Sequence, residues 1–207
     1  MELILIRHAL PVRRELEEGI ADPELSPAGR AQAQHLAEYL ASEPIDALYT
    51  SPLLRARETA EPLASMKGLE VVVVDDVAEW DRNSNEYIPA EELKAAGDPR
   101  WKELANGMMG DADETPEEFR GRVVAALEAL IERHPGQRVA VTCHGGVVNA
   151  YLSHVLGLPP TAGFFYPNYT SLHRVAASRG GHRSIVTINE TSHLRGTGLP
   201  MGVVQQS

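Results

Sequence analysis

The 207 residues are close to one domain of roughly 150 on average, and 43% hydrophobic with 23% charged residues is a globular composition that excludes extensive disorder. Nineteen Lys and Arg against 29 Asp and Glu give a net charge of -10, which excludes general binding to nucleic acid or to an anionic membrane. With Cys143 as the single cysteine and no apolar run of about 18 residues, internal disulfides, multi-cysteine zinc sites and membrane spans are excluded, and a reducing, cytoplasmic setting is expected.

Leu3 to Ile6 is a short apolar run of the kind a strand buried on both faces shows, and it stops at Arg7-His8. A polar loop from Pro11 to Leu25 follows. Ser26-Pro27 supplies an N-cap and an N1 proline for a helix reaching about Ser42, with Leu36, Tyr39 and Leu40 at helical spacing. Ile45 to Thr50 reads as a second strand. Ser51-Pro52 repeats the cap signal, predicting a helix to Met66 that is kinked at Pro62 and stopped by Gly68. Val71 to Val74, β-branched throughout, is a third strand, and the polar stretch 75–114 predicts short helices and a mobile cap that shapes the substrate pocket.

Thr115-Pro116-Glu117-Glu118 has the pattern of a capping box and opens a long helix to Arg133. Val139 to Thr142 is a fourth buried strand, followed by Cys143-His144-Gly145-Gly146 and a helix ending at Gly157. Thr170 to Ala177 and His182 to Ile188 flank Gly180-Gly181 and read as an edge hairpin. Alternating strands and helices predict an α/β fold: one domain over 1–207, a mainly parallel central sheet with helices on both faces, and a C-terminal edge hairpin.

In such sheets ligands bind beyond the carboxyl ends of the strands. Arg7-His8, Arg55, Glu79 and His144 all follow strands closely, so the topology gathers them at one edge. Imidazoles, guanidinium groups and a carboxylate together suit phosphoryl transfer through a phosphohistidine. A neutral His8 can attack phosphorus without a separate base. Arg7 and Arg55 can hold phosphate oxygens by bidentate bonds, whereas Arg57 reads as surface. His144 and Gly145 stand at a helix N-terminus, where backbone amides favour an anion. Glu79, nearer its strand than the competing Asp81, is the preferred proton donor. Cys143 reads as a small buried residue rather than a nucleophile, and His173, His182 and His193 read as hairpin and tail surface, without the short spacing of a metal site.

As a set, these residues resemble the histidine phosphatase superfamily, in its phosphoglycerate mutase-like branch. Leu5-Ile6-Arg7-His8 resembles the opening R-H-G motif, with Ala9 in place of the glycine; Pro11 and Arg14 also depart from that loop's usual residues. Leu25-Ser26-Pro27-Ala28-Gly29-Arg30-Ala31-Gln32-Ala33 resembles L-[ST]-x-x-G-x-x-Q-A, and the run from Ser51 to Ala60 matches S-x-L-x-R-A-x-x-T-A. Val141 to Gly146 resembles the motif carrying the second histidine, and Pro167-Asn168-Tyr169-Thr170-Ser171 a segment whose Asn borders the site.

The resemblance implies that His8 accepts the phosphoryl group, that Arg7, Arg55, His144, Gly145 and Asn168 surround the phosphate, and that Glu79 donates the proton. It implies neither metal nor organic cofactor. A phosphomonoesterase acting on a small phosphorylated metabolite is expected ahead of a mutase-type isomerase or an idle binding module, because the stretch after Glu79 lacks a dense basic set for a second anionic group. Nothing in the sequence sets an oligomeric state.

Overall fold

The computed structural model describes residues 1–105, 113–160 and 163–203. Its main sheet contains β1 (Glu2–Arg7), β3 (Ala47–Thr50), β4 (Val71–Val73), β6 (Arg138–Cys143), β7 (Leu172–Ala177) and β8 (Arg183–Glu190), in the order β4-β3-β6-β1-β7-β8. The four strands from β4 to β1 run parallel, and β7 and β8 form the antiparallel hairpin at one edge. Two-residue strands β2 (Arg14–Glu15) and β5 (Glu86–Tyr87) pair apart from this sheet and tie the loop after β1 to the stretch after β4.

Alternation along β1 sorts the core into two layers. Leu3 and Leu5 face α5 (Pro116–Arg133) and α6 (Gly145–Val155), packing with Val123, Leu127, Val147 and Tyr151. Ile4 and Ile6 face the other way, onto Leu36 and Leu40 beside α1 (Pro27–Tyr39) and Ala60 and Leu63 of α2 (Leu54–Lys67). Every residue from Leu3 to Ile6 is fully buried, as befits a strand covered on both faces. Each large apolar side chain buried in this way contributes roughly 1.5–3 kcal/mol. No described helix is long and apolar enough to cross a membrane.

The caps explain most boundaries. Ser26 accepts from Gly29 N–H at 3.0 Å, and Thr115 and Glu118 form the reciprocal capping box. Gly68 closes α2 in the left-handed conformation at φ 64°, and Gly157, at φ 69°, follows α6.

Three expectations need correction. Ser51 does not cap α2: the helix begins at Leu54 behind Leu53, and the Asp22 carboxylate accepts from Leu54 N–H at 2.9 and 3.0 Å. The third strand, expected over Val71 to Val74, ends at Val73, and as a sheet edge it leaves Val72 and Val73 exposed. His173 and His193 are buried rather than on the surface: β7 lies inside the sheet between β1 and β8, with His173 opposite Leu5 and its ring 5.3 Å from that of Phe165, and His193, in the 3-10 turn Ser192–Leu194, lies beside the Tyr39 ring and bonds Thr170; His182 is exposed. The stretch after β4 holds a 3-10 turn (Asp75–Val77), β5, α3 (Ala90–Ala96) and α4 (Pro99–Ala105), and the remainder of that predicted cap includes 106–112, outside the described residues.

Candidate active site

Parallel register sets three residues at one level. Arg7 lies opposite Cys143, and Thr50 opposite Thr142, so His8, His144 and Ser51 all follow the carboxyl ends of adjacent strands. Backbone bonds continue this alignment beyond the ladders: His8 N–H donates to Cys143 C=O at 2.8 Å and Ser51 N–H to Thr142 C=O at 2.9 Å.

The loop after His8 is held from two helices. Ala9 N–H donates to Thr59 Oγ1 at 2.9 Å, and that hydroxyl donates to Arg55 C=O at 2.7 Å. Leu10 N–H donates to Gln32 Oε1 at 2.8 Å, while Gln32 Nε2 donates to Pro200 C=O. Gly29 allows this approach, because a Cβ there would lie 2.1 Å from Leu10 O. The loop in turn fixes His8: its Nδ1 bonds Ala9 C=O at 2.8 Å as a donor, which leaves the Nε2 lone pair available. Burial, together with Arg55 and Arg7, pushes the His8 pKa well below its ordinary value, so the ring is neutral.

His144 lies beside it, with ring centroids 5.2 Å apart, and is neutral for the same reasons. Its Nε2 meets Ser51 Oγ at 2.6 Å. Arg7 donates to Pro167 C=O at 2.6 Å and lies 4.1 Å over the Tyr169 ring. Arg55, 1% exposed, donates to Asp81 at 2.8 Å and lies 4.6 Å over the Tyr87 ring. Among the described residues, four buried side-chain polar atoms have no hydrogen-bond partner: Arg7 Nε, Arg55 Nε, His144 Nδ1 and, elsewhere, His193 Nδ1. Three of the four thus belong to residues around His8. Two unpartnered guanidinium N–H groups and an unpartnered imidazole nitrogen, all buried beside two positive charges, are a set that can receive an oxyanion.

Glu79 closes the opposite side. Its carboxylate accepts from Gly146 N–H at 2.8 Å and Trp80 N–H at 3.1 Å. Burial, reinforced by the nearby Asp81 charge, raises its pKa to about 7 against the pull of those bonds and of Arg55. Near neutrality it can both give and take a proton. Asp81 instead spends its charge on Arg55.

The predicted set therefore converges: Arg7, His8, Arg55, Glu79, His144 and Gly145 share one cleft, and a Cβ on Gly145 would lie 3.7 Å from Arg7 Nε. Asn168 borders it, with Oδ1 and Arg7 Nη1 each 3.7 Å from a Cβ built on Gly202. Arg57 is exposed, and Arg14 turns away to Glu24 at 2.5 Å. Cys143 is buried and its thiol pKa is pushed up by burial, which removes it as a nucleophile.

A profile of the histidine phosphatase superfamily (branch 1) matches residues 3–191. The chain belongs to the histidine phosphatase superfamily. Phosphoserine phosphatase 1 of Hydrogenobacter thermophilus is 32% identical over 201 residues, 94% of each chain. A probable phosphoglycerate mutase GpmB of Yersinia enterocolitica is 31% identical over 78% of each. In three dimensions, Entamoeba histolytica phosphoserine phosphatase in complex with 3-phosphoglyceric acid superposes with a TM-score of 0.73 at 25% identity, covering 93% of this chain and 98% of that one.

In this histidine phosphatase superfamily member, motif residues outside the predicted site have visible work. Ser51, Thr59, Gln32 and Gly29 all belong to the quoted motifs, and each holds a strand-end residue or the loop behind it. For Gln32 and Thr59 the available signal was a polar residue on the apolar face of a helix. Tyr169, next to Asn168, and Tyr87, whose pKa burial raises to about 12, were missed. Tyr87 lies in a polar stretch with no pattern to mark it.

Proposed function

We propose that the protein is a phosphomonoesterase that hydrolyses a small phosphorylated metabolite through a phosphohistidine on His8. The observation that carries this reading is the group of unpartnered buried nitrogens, Arg7 Nε, Arg55 Nε and His144 Nδ1, around a neutral imidazole. His8 Nε2 attacks phosphorus, and the bond from phosphorus to the ester oxygen breaks. Glu79 protonates the departing alkoxide, and the arginines and His144 stabilise the charge on the transferring phosphoryl oxygens. Water then attacks the phosphorus while Glu79 takes its proton, the P–N bond breaks, and inorganic phosphate leaves with His8 neutral again. Gly145 and Asn168 complete the phosphate surroundings, and the described part of the stretch after β4, 75–105, supplies Glu79, Asp81 and Tyr87 beside the pocket and selects the alcohol.

A mutase would return the phosphoryl group to a second hydroxyl, and the similarity to a probable phosphoglycerate mutase keeps that reading second. The pairing of nearby arginines favours hydrolysis. Arg82 and Arg122 pair with Glu114, Arg100 with Asp98 and Glu86, and Arg13 with Glu15 and Glu92. A second anionic group on the substrate would have to compete with those carboxylates. The test is turnover of a chromogenic phosphate monoester, with and without chelator, beside an isomerisation assay on a phosphoglycerate. Phosphate release at equal rates with and without chelator is expected; isomer formation without release would overturn the reading.

A further inference from the structure

The Ser51 side chain is fully buried, and Nε2 of His144, 2.6 Å away, is the one hydrogen-bond acceptor its hydroxyl proton meets among the described residues. The same oxygen already accepts from Leu53 N–H at 3.3 Å. Three protonation states of His144 can be compared. With the proton on Nε2, the ring would donate to Ser51, and the buried hydroxyl proton would be left without an acceptor. With both nitrogens protonated, a buried imidazolium would face the guanidinium groups of Arg7 and Arg55. With the proton on Nδ1, Ser51 donates to Nε2 and both atoms of that contact are satisfied; the one group left over is Nδ1–H, a buried donor that has no partner in the protein and is open to a ligand.

We propose that Ser51 is a positioning residue whose hydroxyl, by donating to Nε2 of His144, holds that imidazole as the Nδ1–H tautomer and so makes its second nitrogen a hydrogen-bond donor to the substrate phosphate. Ser51 touches no substrate in this scheme; it acts through His144. The absent α2 cap follows from the same use, since the hydroxyl at the strand end is turned to the histidine and Asp22 supplies the cap. The inference rests on the phosphomonoesterase reading for the identity of its ligand. Without Ser51, the ring would populate the other tautomer, whose Nδ1 lone pair repels a phosphate oxygen.

The test uses the full chain with 15N-labelled histidine and inorganic phosphate as the probe. In the wild type, the His144 spectrum is expected to show a protonated Nδ1 and an unprotonated Nε2, and this reading does not depend on any variant folding. Ser51→Ala is expected to give a tautomer mixture, about tenfold weaker phosphate binding and a similar fall in kcat/KM, less than the roughly hundredfold that accompanies outright loss of a transition-state donor. Ser51→Thr, which keeps the hydroxyl, is expected to restore both tautomer and affinity. A protonated Nε2 in the wild type, or wild-type tautomer and affinity in folded Ser51→Ala, would overturn the proposal. Both readouts are independent of turnover, so a wild-type enzyme that hydrolyses no phosphate ester would overturn the functional reading separately.

Discussion

Gly146 and Glu79 fit together with no room to spare: Gly146 N–H donates to Oε2 at 2.8 Å, and a Cβ on Gly146 would lie 2.2 Å from Oε1. The obstructing atom is a side-chain tip rather than backbone, so Gly146→Ala can fold by pushing the carboxylate aside. The variant is expected to keep a near wild-type Tm and to lose on the order of a hundredfold in kcat, the scale of general-acid loss. Gly145→Ala, whose Cβ would meet Arg7 Nε at an ordinary 3.7 Å, is expected to be far milder. Steady-state kinetics and a thermal melt on both variants check the contrast.

Arg55→Ala is expected to weaken phosphate or vanadate binding and to lower turnover by on the order of a hundredfold or more, as for one lost transition-state donor. Arg57→Ala, on the exposed face two residues later, is expected to do little. Calorimetry with kinetics on both variants decides the register of the helix; the reverse ranking would move the phosphate to another site.

His8→Ala is expected to abolish turnover and leave the fold intact, since no neighbouring group replaces the lost nucleophile. Rapid quench of the wild type with a labelled ester is expected to trap an acid-labile, base-stable adduct. Label that survives acid would place the phosphoryl group on a hydroxyl or carboxylate instead.

With Glu79 at about pH 7, kcat/KM is expected to fall above that pH, because the leaving oxygen needs a protonated acid. Glu79→Gln is expected to remove this limb along with most of the activity. A pH profile on both proteins tests it; an unchanged limb in the variant would assign the acid elsewhere.

Buried histidines set the acid limit of stability. His173 and His193 have pKa values lowered by burial to about 3 and about 4, against 6.5 for a free imidazole. Below 6.5 the unfolded chain takes up protons that the folded chain refuses, so stability is full above that pH and is lost as pH falls toward 4 and 3. Glu79 opposes this over the same range: its value, raised from 4.5 to about 7, gives a contribution that is present below 4.5 and lost as pH rises through about 7, and it offsets the effect of about one of the histidines. Urea midpoints are expected to drop between about pH 6.5 and 4.5, with a shallower slope in His173→Asn.

The buried strands were legible because covered parallel strands are continuous apolar runs, and Leu3–Ile6 and Val139–Thr142 show them plainly. Residues at strand ends then identified most of the cleft. Ser51 was misread because a serine before a helix has two possible uses, and only the register of β3 against β6 puts His144 within its reach. His173 reads as surface because an edge hairpin is expected to have an exposed face, whereas β7 lies between β1 and β8 and is buried on both faces from Leu172 to Val175. The β2–β5 pair is too short to leave any periodicity.

The position of β1 in the sheet also bears on synthesis. The strand that ends in Arg7-His8 is made well before its two neighbours, β6, at 138–143, and β7, at 172–177. A chain emerging from the ribosome therefore carries His8 through more than 130 further residues without the partners that bury it and lower its basicity. Such non-local pairing delays folding. It also means that a polypeptide broken off before β6 and β7 has His8 but neither His144 nor the strands that flank it, so prematurely terminated products are expected to be inert toward phosphate esters.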